Sequence, residues 1–288
     1  MSVLEKLASG EFLVLAEMEP PKGVDVNSMV ANAVRVKGRV DAFVVPEMSN
    51  AVMKMSSLGG CMLLQCKGLE TIMQVCCRDR NRLALQADLL AAQALGISNV
   101  MAVTGEDPSY GDHHRARAVH DIDLLELLGA IQKLESGRDM AGIELRGAPR
   151  FCVGSTVNAG ASGGVLDLEV EEMDKKSAAG VRFFITPPVF DLQTFGRFIK
   201  RIGDRKARII PTVLLLKSVG MARYIQRHMD HAHLPEDIIR RIQKAPDKVR
   251  ECVRIAAELV SGIQEAGYSG VLISTIGWED KLPDILEV

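Results

Sequence analysis

The chain lacks any apolar run long enough for a signal peptide or a membrane span: its N-terminus, MSVLEKLASGEFLVLAEMEP, is broken by Glu5, Lys6 and Glu11. A cytoplasmic protein is expected. It also lacks an excess of one charge: the formal net charge is −2 and the pI is near 6.3, with no long run of one sign. That balance excludes the broad phosphate-neutralising surface of a nucleic-acid binder and leaves a small molecule or a protein as partner. No CxxC pair occurs among the six cysteines, Cys61, Cys66, Cys76, Cys77, Cys152 and Cys252, so zinc and redox-dithiol chemistry have no support and reduced thiols are expected. Ser/Gly linkers, low-complexity tracts and short repeats are absent as well.

With 288 residues, 47% hydrophobic and 25% charged, the chain can bury a large α/β core. Apolar runs alternate with helical stripes from end to end. Eight strands are predicted, over 12–17, 42–46, 71–76, 100–104, 151–156, 182–186, 209–216 and 271–276. Between them, Leu85, Leu89 and Ala92 recur at helical spacing before Gly96, and Val249, Val253, Ala256, Val260 and Ile263 do so before Gly267. Leu124, Leu128 and Ile131, then Leu166, Val170 and Met173, add two further stripes ending near Gly137 and Gly180. Strand and helix in alternation predict one α/β domain over 1–288, a single (β/α)₈ TIM barrel. A doubly wound sheet would show a glycine fingerprint after the first strand, where this chain has EMEPPKG.

Reacting groups of such barrels sit at the C-terminal ends of the strands. Glu17 and Glu19, two apart, share a direction there, and a carboxyl in a pocket becomes a general acid near neutral pH; the alternative is a pair of solvated residues before Pro20-Pro21. After the fourth strand, Thr104-Gly105-Glu106-Asp107-Pro108 opens a long loop through Asp112-His113-His114-Arg115. Its carboxylates can face an electron-poor ring or merely form a turn. Gly154 to Gly164 forms a small-residue loop with free N–H groups suited to phosphate, and Lys175 and Lys176 lie beyond it, within reach of a diphosphate or simply hydrated. His228, His231 and His233 match no metal-ligand spacing, and no metal is expected. Ser218 and Cys76 have no readable His-Asp partners for nucleophilic chemistry.

Six segments, in order and across nearly the whole chain, resemble the methylenetetrahydrofolate reductase family, in particular its short type with only the catalytic domain. They are AEMEPPKG (16–23), CRDRNRLALQADLLAAQALGISNVMAVTGEDP (77–108), GDHHRARAVHDIDLL (111–125), FCVGSTVNAG (151–160), KKSAAGVRFFITPPVFD (175–191) and IGWEDKLP (276–283). The resemblance implies a barrel that binds FAD and passes a hydride from NAD(P)H, or from an electron-delivering partner subunit, to 5,10-methylenetetrahydrofolate. Glu17 matches the glutamate that protonates folate N10. Glu106 stands where much of the family has the Asp beside flavin and pterin. Cofactor contacts implied by the likeness fall on Cys76, Arg78, Thr104, Gly105, Glu106, Asp107, His120, Thr156, Asn158, Lys175 and Lys176, and substrate contacts on Glu17, Thr186, Lys217 and Ser218. The chain departs from the pattern at Pro187, where a Gln is usual, at Cys76, where a Thr is usual, and at His120, where an aromatic is usual. A folate-dependent methyltransferase on the same barrel, or a folate- or flavin-binding subunit active only with a partner, is the alternative, and a homo-oligomer is compatible with all of these.

Overall fold

The computed structural model describes residues 2–203, 205 and 208–287. A first helix, α1 (Val3–Ser9), precedes the first strand, β1 (Leu13–Glu17). Sequence periodicity did not reveal this helix because it spans only two turns. Its stop and start are local: Ser2 and Glu5 form a reciprocal capping box, and Gly10 ends it at φ 78°. After β1 come α2 (Asn27–Arg35), β2 (Ala42–Val45), α3 (Ser57–Gln65), β3 (Thr71–Cys76), α4 (Arg82–Ala94), β4 (Asn99–Val103), α5 (Leu124–Glu135), β5 (Cys152–Thr156), α6 (Gly163–Ala178), β6 (Phe183–Pro188) and α7 (Leu192–Ile202). Then β7 (Arg208–Leu214) is followed by α8 (Val219–His228), α9 (Glu236–Lys244) and α10 (Lys248–Glu265), and β8 (Gly270–Ser274) by the short α11 (Leu282–Ile285).

All strands pair in parallel and in sequence order, and β8 closes on β1: the sheet is a (β/α)₈ barrel, as the alternation predicts. Two details differ from the sequence reading. β6 runs on through Pro187 and Pro188, residues without an N–H, because the ladder to β7 shifts register between Ile185 and Pro188 and Val189 N resumes it by donating to Thr212 O at 2.9 Å. In α10 the buried face is Cys252, Ile255, Ala256, Ala257 and Ile263, while Val249 is exposed, so the stripe is rotated from the valine row.

Strand alternation splits the apolar residues into two layers. Leu13, Leu15, Ala42, Val44, Ile72, Met101, Val103, Cys152, Phe183, Ile185, Ile210 and Leu272 fill the barrel interior, joined from below by Val3 and Leu7 of α1. The alternate residues pack under the helices. Gly154 makes room for the largest interior ring: a Cβ there would lie 2.2 Å from Phe183. Glu17 has the same parity as Leu13 and Leu15, so it points inward at the top of the stack.

Candidate active site at the C-terminal mouth

Above the interior side chains, the C-terminal ends of the strands enclose a cleft of about 710 Å³. A groove of about 870 Å³ lies at the other end of the barrel, beside α1, α6 and α7. Barrel chemistry belongs to the strand C-termini, which selects the cleft. Its floor carries Val44, Met101, Val103, Ile185 and Leu272, and its polar lining includes Glu17, Gln74, Thr156, Thr212 and Ser274.

Glu17 is the carboxyl at the centre of this lining. Its Oε1 accepts a 2.8 Å hydrogen bond from Ser274 Oγ. Burial pushes its pKa up to about 7; Ser274 pulls the other way, and the charges of Glu19 and Glu279 add to the rise. Other carboxylates at the cleft have compensating partners. Glu19 pairs with Lys54. Glu47 accepts from Arg80 Nη1 at 2.9 Å and from the Ser57 N–H at 2.7 Å. Glu169 accepts from the Asn158 N–H at 3.1 Å. Among the described residues Glu17 faces no such cation at contact distance, and with its pKa raised to about 7 it can hold a proton near neutral pH.

The loop after β4 brings Thr104, Gly105 and Glu106 to the same cleft as Glu17. Glu106 is largely exposed and meets Arg78 Nη1 at 3.4 Å. Cys76 lies beneath the loop, its thiol donating to Thr104 O at 3.4 Å and pushed up to about 12 by burial, which removes it as a nucleophile. Arg78 is 1% exposed. Its guanidinium donates to both Asp79 carboxylate oxygens at 2.8 Å and to the carbonyls of Glu47, Met48 and Glu106 at 3.3–3.4 Å, so its contacts are within the chain. Asp107 faces away from the cleft lining and caps a 3₁₀ turn by accepting from Ser109 N at 2.8 Å. Gly105 sits at φ 90°, and a Cβ there would lie 2.3 Å from Cys76 Sγ. Gly105→Ala is therefore expected to destabilise the fold by roughly 3 kcal/mol, from left-handed strain and overpacking together, read as a lower urea midpoint at unchanged m value.

On the β5 side, Thr156, Asn158 and Lys176 line the cleft. Lys176 Nζ donates to Thr156 O at 2.9 Å and makes no ion pair among the described residues; burial lowers its pKa. Thr104 and Lys176 also line an adjoining cavity of about 600 Å³ with His120, Ile122, Asp123 and Glu172. His120 holds φ 39°, a left-handed backbone that presents its ring at this second cavity. Lys175 is turned outward and paired with Glu172 at 2.5 Å. Gly160 is needed by the segment after α8, because a Cβ would lie 1.7 Å from His231 O; His233 Nε2 lies 2.9 Å from Gly160 O. Among the described residues no cluster of His, Cys, Asp and Glu has metal-binding geometry.

Thr186 and Pro187 reach the cleft, Thr186 through a buried hydroxyl that donates to Pro187 O at 2.7 Å. Lys217 and Ser218 are not brought to it. Lys217 contacts Ile276 O and lies 5.3 Å from the Trp278 ring centroid, and Ser218 caps α8 by accepting from Met221 N at 3.1 Å. The cleft also has walls that single-residue chemistry did not suggest: Gln74, then Met221, Tyr224 and Ile225 of α8, and Met229 just after it. The signal was available in the i, i+3, i+4 spacing of Met221, Tyr224 and Ile225 after a strand end.

Fold and site together define a parallel (β/α)₈ barrel that holds a protonatable acid in a roomy mouth. The methylenetetrahydrofolate reductase family model matches residues 2–288, and the chain belongs to that family. Among solved structures, an uncharacterized protein from Clostridium thermocellum that binds two copies of 5-methyl-5,6,7,8-tetrahydrofolic acid matches with a TM-score of 0.67 and 13% identity, over 99% of this chain and 96% of that one. EDTA monooxygenase from a Chelativorans species matches at a TM-score of 0.56, with 11% identity over 96% and 93% of the two chains. DmoA from Hyphomicrobium sulfonivorans follows at 0.54, with 9% identity over 96% and 86%. At these identities the structural likenesses speak for the barrel; the family match supports an oxidoreductase-type enzyme with a folate-related role. No described helix is long and apolar enough to cross a membrane.

Proposed function

We propose that this chain catalyses the FAD-dependent reduction of 5,10-methylenetetrahydrofolate to 5-methyltetrahydrofolate in one-carbon metabolism, with NAD(P)H or an electron-delivering partner subunit as the source of reducing equivalents. The observation that carries the reading is Glu17, a buried carboxyl whose pKa is raised to about 7, in a cleft of about 710 Å³ within a chain of this family. Family membership and the folate-binding neighbour support a folate as the molecule that meets it.

The lining suits FAD in two respects. The cleft and the adjoining cavity share Thr104 and Lys176, giving room for an extended ligand, and Lys176 is a partly desolvated cation with no ion-pair partner among the described residues. Bound FAD would supply hydride transfer between the nucleotide and the folate. Lys176 and the backbone around Thr156 and Asn158 would hold its diphosphate, Gly105 would let the β4 loop approach it, and Glu106 would supply negative charge at the same cleft. Glu17 gives its proton to folate N10, which breaks the N10–methylene bond and leaves an N5 iminium cation. A hydride added to that carbon yields the 5-methyl product, and Glu17 is left ionised. Ile185, Leu214 and Leu272 give the same cleft part of its apolar lining.

Adding FAD to purified protein and following its absorption, then assaying folate reduction with NADH, NADPH or a chemical reductant, tests the reading. Bound flavin with folate turnover is the expected result. Folate binding without turnover under every reductant would favour a subunit that works only with a partner, and failure to bind either ligand would end the proposal. Lys176→Met is expected to weaken FAD binding by about tenfold, the loss of one charge-assisted contact, in a fluorescence-quenching titration.

A further inference from the structure

Glu17 is held by a residue on the neighbouring strand, and the pairing of those strands dictates the contact. β1 and β8 align Leu15 with Leu272 and Ala16 with Ile273, which brings Glu17 level with Ser274, both pointing inward. Ser274 is 5% exposed, and its Oγ lies 2.8 Å from Glu17 Oε1, not Oε2. A hydroxyl donating to one oxygen of a neutral carboxyl makes that oxygen the carbonyl and leaves the proton on the other. From this we infer that Ser274 is the positioning residue of the acid: it fixes the carboxyl plane and assigns the transferable proton to Oε2.

This role rests on the proposed reaction only for its consequence in turnover; the effect on Glu17 itself does not depend on any ligand. The charged groups facing Glu17 are Glu19 beyond its own strand, Lys54 from the loop after β2, and Glu279 from the loop after β8. Glu19 and Lys54 are paired with each other, and Lys54 offsets only part of the rise that Glu19 and Glu279 cause. Ser274 is the partner that hydrogen-bonds the carboxyl directly. A bond donated to the ionised form favours that form, so its loss moves the pKa upward.

Ser274→Ala and Ser274→Thr test the inference. In protein carrying ¹³C-labelled glutamate carboxyls, the Glu17 resonance is identified by its loss in Glu17→Gln. Its titration midpoint is expected to rise by about one pH unit in Ser274→Ala, the tenfold change carried by one hydrogen bond to a charged group, and to stay within a few tenths in Ser274→Thr. In turnover, Ser274→Ala is expected to show a lower kcat on the acid plateau, from lost orientation, while its alkaline limb moves to higher pH. A merely structural role would lower stability in both variants and leave the midpoint in place. An unmoved Glu17 titration in folded Ser274→Ala overturns the inference, whatever the outcome for the reaction; absence of folate turnover in the unaltered protein overturns the reaction alone.

Discussion

On the proposed reaction, Glu17→Gln is expected to lower folate reduction by about 10²- to 10⁴-fold, the span that a positioned general acid contributes, while reduction of added flavin by its electron donor would proceed at the unaltered rate. The amide keeps the shape of the carboxyl and can still accept from Ser274, so what is removed is the proton. Rapid-mixing spectroscopy of the two half-reactions separates them, and a parallel loss in both would show that Glu17 shapes the site rather than serving as its acid. The same variant has a stability signature. Because burial raises the Glu17 pKa to about 7 from an ordinary value of 4.5, the folded protein favours the protonated form. The contribution is fully present below about pH 4.5 and lost as pH rises through 7, where folding must bury a charge. Glu17→Gln should thus unfold at a higher temperature than the unaltered protein at pH 8 and lose that advantage at pH 4. The proposed acid is a cost to the fold at working pH, as expected of a group kept for chemistry.

Arg78→Met is expected to destabilise the protein by about 3 kcal/mol, measured as a shift in urea midpoint. Arg78 joins the ends of three strands: it meets the carbonyls of Glu47 and Met48 after β2, Asp79 after β3, and the carbonyl and carboxylate of Glu106 after β4. Removing the cation leaves the Asp79 carboxylate without its partner and the buried Glu47 carbonyl and two part-buried carbonyls without this donor, which is why truncating one side of a buried pair costs more than the pair itself is worth. Met fills a similar length of side chain, so the loss reports polar contacts rather than a void. A second consequence follows for the mouth: Glu106 loses its tether, and ligand affinity should fall beyond what global stability explains. If the variant melts normally, the three loops are held by their backbone bonds and Arg78 is incidental.

The barrel was legible because its signal is repeated: apolar runs alternate with helical stripes along the whole chain, and each run ends in polar residues. The inward placement of Glu17 was legible for the same reason, since it continues the Leu13, Leu15 parity to the strand end. What escaped depends on contacts across strands. Ser274 reads as an ordinary strand-end serine until β8 closes on β1, and α8's Met221 and Tyr224 read as a surface stripe until the helix is folded against the mouth. Arg78 and Lys175 illustrate the converse. A basic residue at a strand end or on a helix near a phosphate-like loop suggests a ligand contact, yet Arg78 is enclosed by backbone carbonyls and Lys175 faces Glu172. Only direction in space separates Lys175 from Lys176, its neighbour, which turns toward the cleft. The two prolines of β6 were legible as residues but not as strand, because a shift of register is a property of the pair and not of either sequence.

α1 lies against the base of the barrel, its Val3 and Leu7 packed among the interior side chains and its Leu7 carbonyl fastened by Arg208 at 3.2 Å. The barrel is therefore stoppered below, and in the proposed reaction a proton given up by Glu17 would not be replenished from that side. On that reading, a ligand filling the mouth would leave the acid with the single proton it held on arrival; recharging would wait for departure, so each visit would permit one donation and solvent would reset the site between visits.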